Sequence, residues 1–578
     1  MTKIASQSYF QDVCDAAVAA LETLGVVVTA ADLATSFEAP NKKGFGDAAL
    51  PCFPFARQLK MPPPKIAEKV AEAFHAPPAV VKVAPISGFL NIWYDPGIVA
   101  SEVLPSIQEA QHRYGASDEG AGKTVCMDYS HPNIAKPFGV GHLRSTVIGN
   151  SLKRTLEHRG YSTVGINHLG DWGTQFGKLI AAFREWGDED ELLREPIKHL
   201  YSLYVRVHQE AESDPSWDDR GRQEFKKLED GDPANRELWQ RFRDLSLREF
   251  GRVYQRLGVA FESDAGEAFY ESKLSSLIER LTKEGHAIEG DDGALVIPMP
   301  DTEEEPPLLL RKADGATTYA TRDLAAAEYR FTTYEFYRCL YIVGSAQALH
   351  FKQLFTALKQ IGYEWAERMR HIEFGWVKFA DSMMSTRQGN IIFLNDVLSE
   401  AVDKTRSIIA ERNPDLDDPE NVAEQVGVGA IVFWMVSVKR QKDVNFDWDE
   451  VLSFDGRTGP YLQYTHARVG SLIARYGKQI PTSSVDYKTL STEEERQLLL
   501  QLADWPRRLS QAIQFYEPQI LASALLDMAQ AYNRFYQNVR ILDGDQSAVE
   551  ARIVLADSLR IVLNSGLYLL GMGAPSRM

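Results

Sequence analysis

Apolar residues recur at helical spacing over residues 9–24 and 64–74, and a short β-prone run covers 88–94. Pro40, Gly44, Gly46, Pro51 and Pro54, then Pro62, Pro63 and Pro64, punctuate these stretches. GASDEGAG at 115–122 reads as a linker. A buried strand is expected at 124–129, a loop at 130–140 and a helix at 141–158, with Leu143, Val147, Leu152 and Leu156 on one face and Gly160 as its stop. A second strand follows at 161–166. This β-loop-α-β order predicts a parallel pair with a right-handed crossover. The pattern returns at 339–343 with helix 351–360, and at 372–374 with a helix from about Leu394. Between these units, 178–330 reads as an insertion, with an amphipathic helix at 233–257 and strands near 294–299 and 308–311. From about residue 450 the pattern is helical throughout, at 461–476, 493–515, 521–542 and 550–570.

The expected fold class is therefore α/β. A doubly wound, Rossmann-like parallel sheet with an insertion at about 178–330 spans 114–450. An α+β unit at 1–113 precedes it, and an all-α bundle at 451–578 follows. The length of 578 residues fits roughly three or four domains. The longest apolar run, AIVFWMVSV at 430–438, is shorter than the roughly 20 residues a bilayer requires and reads as a buried core helix. The N-terminus lacks a basic start followed by an apolar block, so no signal peptide and no membrane partner are expected.

Cys14, Cys52, Cys126 and Cys339 are scattered, which disfavours a disulfide framework and a structural metal and fits a reducing cytoplasm. A net charge of −17 argues against nucleic acid as a partner. Its distribution weakens that objection. Residues 1–115 carry −2 and residues 452–578 carry +1, which leaves −16 between them, much of it in runs such as GDEDE and DTEEE. Both ends are near neutral, so a polyanion can dock there through local patches.

Two short motifs carry little weight. Gly122-Lys123-Thr124 resembles the end of a phosphate loop but precedes a strand, and Ser117 stands where the earlier glycine belongs. Gly139-Val140-Gly141 suggests a dinucleotide fingerprint, but Arg144 stands in place of the third glycine. The whole run DYSHPNIAKPFGVGHLRSTVIGN at 128–150 says more. It leaves a strand and enters a helix near Gly141, where free N–H groups and the helix dipole favour an anion. Gly139 and Gly141 allow close approach, while Lys136 and His142 add donors for phosphate oxygens.

This run resembles the "HIGH" element of class I aminoacyl-tRNA synthetases, in the form found in the arginyl-tRNA synthetase family. NHLGDWGTQFG (167–177), YATRD (319–323), QALH (347–350), MSTRQGN (384–390) and GPYLQYTHAR (459–468) resemble that family too, in the same order. So do the N-terminal unit and the ending LLGMGAPSRM. The resemblance implies formation of arginyl-adenylate from L-arginine and ATP, with Mg²⁺ on the ATP phosphates, then transfer of arginine to the 3′-terminal ribose of tRNA(Arg). It implies a monomer. It also implies an anticodon-binding role for the helical bundle and, around Phe45-Gly46-Asp47, contact with the tRNA elbow.

Residue roles follow by matching positions. Gly139 replaces the first histidine of the element, and the loop Met383-Met384-Ser385-Thr386-Arg387 lacks both lysines of the "KMSKS" pattern. Lys136 stands where many arginyl enzymes carry a substitute lysine. The resemblance therefore implies Lys136, His142, Ser385 and Arg387 as catalytic groups. Gly139, Gly141, His142, Met384 and Ser385 would bind ATP, with a surface charge the alternative for Arg387. A guanidinium is a planar fork that wants a carboxylate. Tyr319 and Asp323, four apart at a helix start, face one way and suit it, although Asp323 could also simply favour the helix dipole. By carry-over, Asp128, Ser130, Asn133 and Gln347 would hold the rest of the amino acid, while His131 replaces a small residue and receives no role. Tyr461 and Tyr464, three apart, suit base stacking, and Tyr536 and Met578 match further tRNA-contacting positions. Tyr532 and Phe535 read as packing.

Two rival classes are weighed and disfavoured, the first by the tRNA-like ends of the chain and the second by retained Lys136, His142, Tyr319, Asp323 and Gln347. One is a nucleotidyl-transfer enzyme of the same fold that adenylates a small carboxylate without tRNA. The other is a catalytically silent RNA-binding relative, suggested by Gly139 and the missing loop lysines.

Overall fold

The computed structural model describes residues 8–40, 42, 44–290, 292–300, 306–379 and 393–578. At its centre are four parallel strands, Thr124–Asp128, Ser162–Ile166, Arg338–Tyr341 and Met369–His371. Thr124–Asp128 lies between Ser162–Ile166 and Arg338–Tyr341, and Met369–His371 closes the far edge. The period of two divides the interior. Val125, Met127 and Tyr129 pack with Leu143, Val147 and Leu152 on one face. Cys126, Ile166, Cys339 and Tyr341 pack with Leu324, Ala327 and Leu354 on the other. Strands covered on both faces read as continuous apolar runs, which is why they were visible in the sequence.

The chain leaves Thr124–Asp128 toward helix Val140–His158 on one face. It leaves Arg338–Tyr341 toward helix Ala348–Gln360 on the other. The two connections part at the carboxyl ends of neighbouring strands, and a crevice at such a switch point is where α/β sheets bind ligands.

The strand expected at 372–374 lies three residues earlier, at Met369–His371. Beyond Ile372, the Arg440 guanidinium takes the Glu373 carbonyl at 2.6 Å and the Gly375 N–H donates to the Arg440 carbonyl at 2.8 Å, which turns the backbone off the sheet. A separate parallel pair, Val377–Phe379 with Val444–Phe446, follows. The apolar run 430–438 largely falls on the buried helix Pro419–Val436.

Residues between the second and third strands form six helices, Thr174–Trp186 to Glu267–Lys283, then a three-stranded antiparallel sheet and helix Tyr319–Tyr334. The N-terminal unit is a three-stranded antiparallel sheet with helices Ser8–Glu22 and Pro63–Ala73. It is seated on the C-terminal bundle. Asp47 accepts from the Tyr94 N–H at 2.7 Å and pairs with Arg496, and Tyr114 Oη donates to the Leu502 carbonyl at 3.1 Å. Segment 115–122 is no free linker, because Arg159 donates to the Gly115 carbonyl at 2.6 Å and to Glu119 at 2.7 Å.

The bundle comprises Gly459–Tyr476, Glu493–Gln514, Gln519–Asn538 and Gln546–Leu570. Among the described residues, Gln546–Leu570 is long and apolar enough to cross a membrane, but 83% of its apolar window is buried inside the protein. That is the pattern of a core helix.

Candidate active site

The loop after Thr124–Asp128 is strained. Ser130, His131 and Ala135 have φ of 83°, 57° and 59°, a region that side chains with a Cβ rarely occupy. Such residues cost on the order of 1–3 kcal/mol each and persist only where their surroundings hold them. Here they are held. The Ser130 N–H donates to Ser145 Oγ at 3.0 Å, and Ser130 Oγ lies 2.8 Å from both Tyr254 Oη and Thr146 Oγ1. The Ala135 N–H donates to Ser246 Oγ at 2.8 Å.

Asp128 is buried. Arg330 Nη1 lies 2.7 Å from its Oδ2, and His131 Nε2 lies 2.6 Å from its Oδ1. Burial alone would raise this carboxyl, but Arg330 and then His131 outweigh it and hold it well below the usual carboxylate range. Arg330 also donates to His168 Nδ1 at 3.3 Å, and His168 stacks on Tyr270. Asp128 and Ser130, expected as substrate ligands, are thus also held by the protein. Both Asp128 oxygens and the Ser130 hydroxyl are engaged by the protein itself, which fixes the loop's shape. His131, given no role by the resemblance, caps Asp128.

Helix Val140–His158 starts at Gly139, whose backbone bridges to Phe393. Gly141 is exposed, with no heavy atom within 4 Å of where a Cβ would sit, so a ligand can reach the backbone there. His142 is half-buried, and its Nδ1 has no partner. Burial, then the neighbouring His131, and also Lys136, pull its pKa down to about 4, although the bond with Gly139 opposes them. The ring is therefore neutral at pH 7. Lys136 Nζ lies 3.3 Å from Tyr204 Oη and 4.3 Å from that ring's centre. Met384, Ser385 and Arg387 lie outside the described residues.

Across the crevice, Tyr319 opens helix Tyr319–Tyr334 and Asp323 lies one turn on, on the same face. Tyr319 is 60% exposed and therefore available to a ligand. Its ring meets His350 edge-on with centres 4.8 Å apart, and His350 Nε2 lies 2.6 Å from Asp323 Oδ2. Gln347 is exposed at the start of helix Ala348–Gln360. Asn133 is half-buried and pairs by backbone with Gly170. Glu267 was not foreseen. Burial raises its pKa to about 7, and Asp323 and Asp171 push the same way against Arg322. His350 was legible within QALH, whereas nothing in the local sequence marks Glu267.

In the bundle, Tyr461 accepts at its hydroxyl from Asn533 Nδ2 at 2.6 Å, and Tyr464 is 42% exposed. The Arg468 guanidinium sits 4.1 Å over the Tyr536 ring. Tyr532 and Phe535 are fully buried, as packing requires. The chain end lies along helix Gly459–Tyr476. His466 Nδ1 lies 2.9 Å from the Pro575 carbonyl, and the Met578 carbonyl accepts from Asn413 at 3.3 Å.

Residues 104–448 match the catalytic domain of class I tRNA synthetases of the arginine type. Residues 11–94 match the arginyl-tRNA synthetase N-terminal domain, and 462–578 match the DALR anticodon-binding domain. The chain belongs to the arginyl-tRNA synthetase family. An arginine–tRNA ligase of Clostridium botulinum strain Alaska E43 is 47% identical over 542 residues, which cover 94% of this chain and 95% of that one. The Clostridium beijerinckii arginine–tRNA ligase is 46% identical with the same coverage. Arginyl-tRNA synthetase of Thermus thermophilus superposes with a TM-score of 0.83 at 26% identity, covering 98% of this chain and 99% of that one. Family membership removes the rival of a stand-alone carboxylate adenylating enzyme, because the arginyl-tRNA synthetase N-terminal domain and the anticodon-binding domain are both matched here.

Proposed function

We propose that this class I arginine–tRNA ligase binds the arginine guanidinium between Asp323 and Glu267, with Tyr319 over its face. The observation that carries the reading is Asp323, anchored by His350 beside the exposed ring of Tyr319, with the buried Glu267 carboxyl near enough to feel its charge. Lysine has no planar fork and would leave acceptors unpaired, which is how the pocket rejects it. Asn133 and Gln347 line the same crevice and take the α-amino and carboxylate groups.

The arginine carboxylate attacks the α-phosphorus of ATP. One oxygen–phosphorus bond forms, the bond to pyrophosphate breaks, and arginyl-adenylate results. No covalent enzyme intermediate is needed, so the protein contributes positioning and stabilisation of charge. Neutral His142, the N–H groups opening helix Val140–His158, and Lys136 bind the phosphates, and the family resemblance gives Ser385 and Arg387 the same task. Gly139, Gly141 and Met384 make room for the nucleotide. Mg²⁺ enters with ATP as part of the substrate, held by phosphate oxygens and water. Among the described residues no group of three or more His, Cys, Asp or Glu is arranged to hold a metal of its own.

In the second step a hydroxyl of the tRNA 3′-terminal ribose attacks the arginyl carbonyl and AMP leaves. Tyr464, with Tyr461, Tyr536 and Met578, receives the tRNA on the bundle, and the N-terminal unit meets its elbow. The chain works as a cytoplasmic monomer, with domains at about 1–113, 114–450 and 451–578.

The test is ATP–pyrophosphate exchange with each of the twenty amino acids, with and without total tRNA. Exchange with arginine alone is expected. Exchange with another amino acid overturns the pocket, and no exchange under either condition moves the chain to the silent RNA-binding class.

A further inference from the structure

Arg144 is fully buried in the first turns of helix Val140–His158. A cation near a helix N-terminus is unfavourable, and burial adds to that. Among the described residues no carboxylate pairs with it directly, and Asp443 and Glu517 act on it only from a distance. All its hydrogen bonds run to backbone carbonyls, from Nη1 to Gly375 at 2.7 Å and Lys442 at 2.6 Å, and from Nη2 to Lys439 at 3.4 Å. A buried charge with such partners fixes backbone in place.

The segments it fixes are significant. Gly375 precedes the strand Val377–Phe379, and Lys439 and Lys442 precede Val444–Phe446, its parallel partner. The joint is knit further, since Asp443 accepts from the Trp376 N–H at 2.9 Å. The same joint reaches the C-terminal bundle, where Glu517 accepts from the Arg440 N–H at 3.3 Å. A Cβ on Gly375 would lie 2.7 Å from the Lys442 backbone, so any larger residue must shift this joint.

We infer that Arg144 is a positioning residue for adenylate formation, locking the helix start that carries Gly141 and His142 at a set distance from the strand pair Val377–Phe379 and Val444–Phe446. It touches no substrate. It acts on the placement of the helix start that carries Gly141 and His142, so its loss slows the chemical step and leaves arginine binding in place. This inference rests on the reading of the chain as an arginine-activating enzyme.

Arginine-dependent pyrophosphate exchange by the wild type tests that underlying reading first, and its absence overturns both. With it established, Arg144→Ala, Arg144→Lys and Gly375→Ala are compared. Arg144→Ala is expected to lose about 10²-fold in kcat, the scale of an ångström-sized misplacement, with KM for arginine unchanged. Arg144→Lys is expected to recover part of the loss. Added guanidinium at non-denaturing concentration restores rate to the alanine variant, which a general loss of packing would not permit. Should Arg144→Ala fail to fold, Arg144→Lys and Gly375→Ala decide, both expected to lower kcat alone. Wild-type kcat in those two variants, or a loss confined to KM for arginine, overturns the inference.

Discussion

His350 Nε2 lies 2.6 Å from Asp323 Oδ2, across 27 residues of sequence. An ionised carboxylate only accepts, so Nε2 carries the proton and the histidine aims the carboxylate. Asp323→Asn should raise KM for arginine by about 10²–10³-fold, the range for breaking a desolvated charge pair, and leave KM for ATP within a few-fold. His350→Leu should raise it less, since it frees the carboxylate without removing it. Steady-state exchange kinetics read both, and an unchanged KM for arginine in Asp323→Asn would sink the pocket.

In the proposed pocket, Glu267 should make arginine binding depend on pH. Its pKa is raised to about 7 in the ligand-free protein, so it is protonated below that pH and charged above it. Apparent affinity for arginine should therefore fall as pH drops through about 7, and Glu267→Gln should flatten the profile. The stability linkage has the opposite slope. A carboxyl with a raised folded pKa contributes stability below its ordinary value of 4.5 that is lost as pH rises through about 7. Melting of the ligand-free protein at pH 5 and pH 8 should show a smaller difference for Glu267→Gln than for wild type.

His142 should add no inflection to the pH–rate profile between pH 5 and 8, because its pKa lies near 4. As a neutral donor it can be replaced in part by another neutral donor. His142→Ala should reduce kcat by about 10²–10³-fold, the usual loss for one preorganised donor, and His142→Gln by less. Equal losses for the two would assign His142 to packing.

The Asp128–Arg330 pair is a matter of stability first. Removing Asp128 leaves a fully buried guanidinium uncompensated, and Asp128→Ala should cost about 3–5 kcal/mol in denaturant unfolding. The depressed carboxyl contributes stability that is present above its ordinary pKa of 3.8 and lost as pH falls through the lower folded value. Wild type and variant should therefore converge in acid.

Tyr464 separates tRNA docking from arginine chemistry. Tyr464→Ala should weaken binding of tRNA(Arg) by about 1–3 kcal/mol, the worth of a stacked base, without changing KM for arginine. Tyr461→Ala should also disturb packing through Asn533, and Tyr532→Phe should leave tRNA affinity unchanged. Filter binding and exchange kinetics on the same preparations resolve the three.

The order of elements was legible along the chain because local forces set it. Helix Pro233–Leu257 begins and ends at the predicted residues, with Asp232 as N-cap and Gly258 in the left-handed conformation at its end. The double-faced strands appear as apolar runs, and Tyr319 and Asp323 share a helix turn by spacing alone. What the chain could not disclose is which polar groups meet. Asp128 and Ser130 match substrate-binding positions, yet Arg330, 202 residues further on, and Tyr254, 124 residues further on, engage them first. Glu267 lies in an unmarked helix turn, and only burial, with Asp323 nearby, raises its carboxyl. Arg144 looks like a broken glycine motif until carbonyls from residues 375, 439 and 442 close around it. Helix and strand arise from contacts between neighbours in sequence. Desolvation and charge pairing depend on groups hundreds of residues apart, and only the folded chain brings those together.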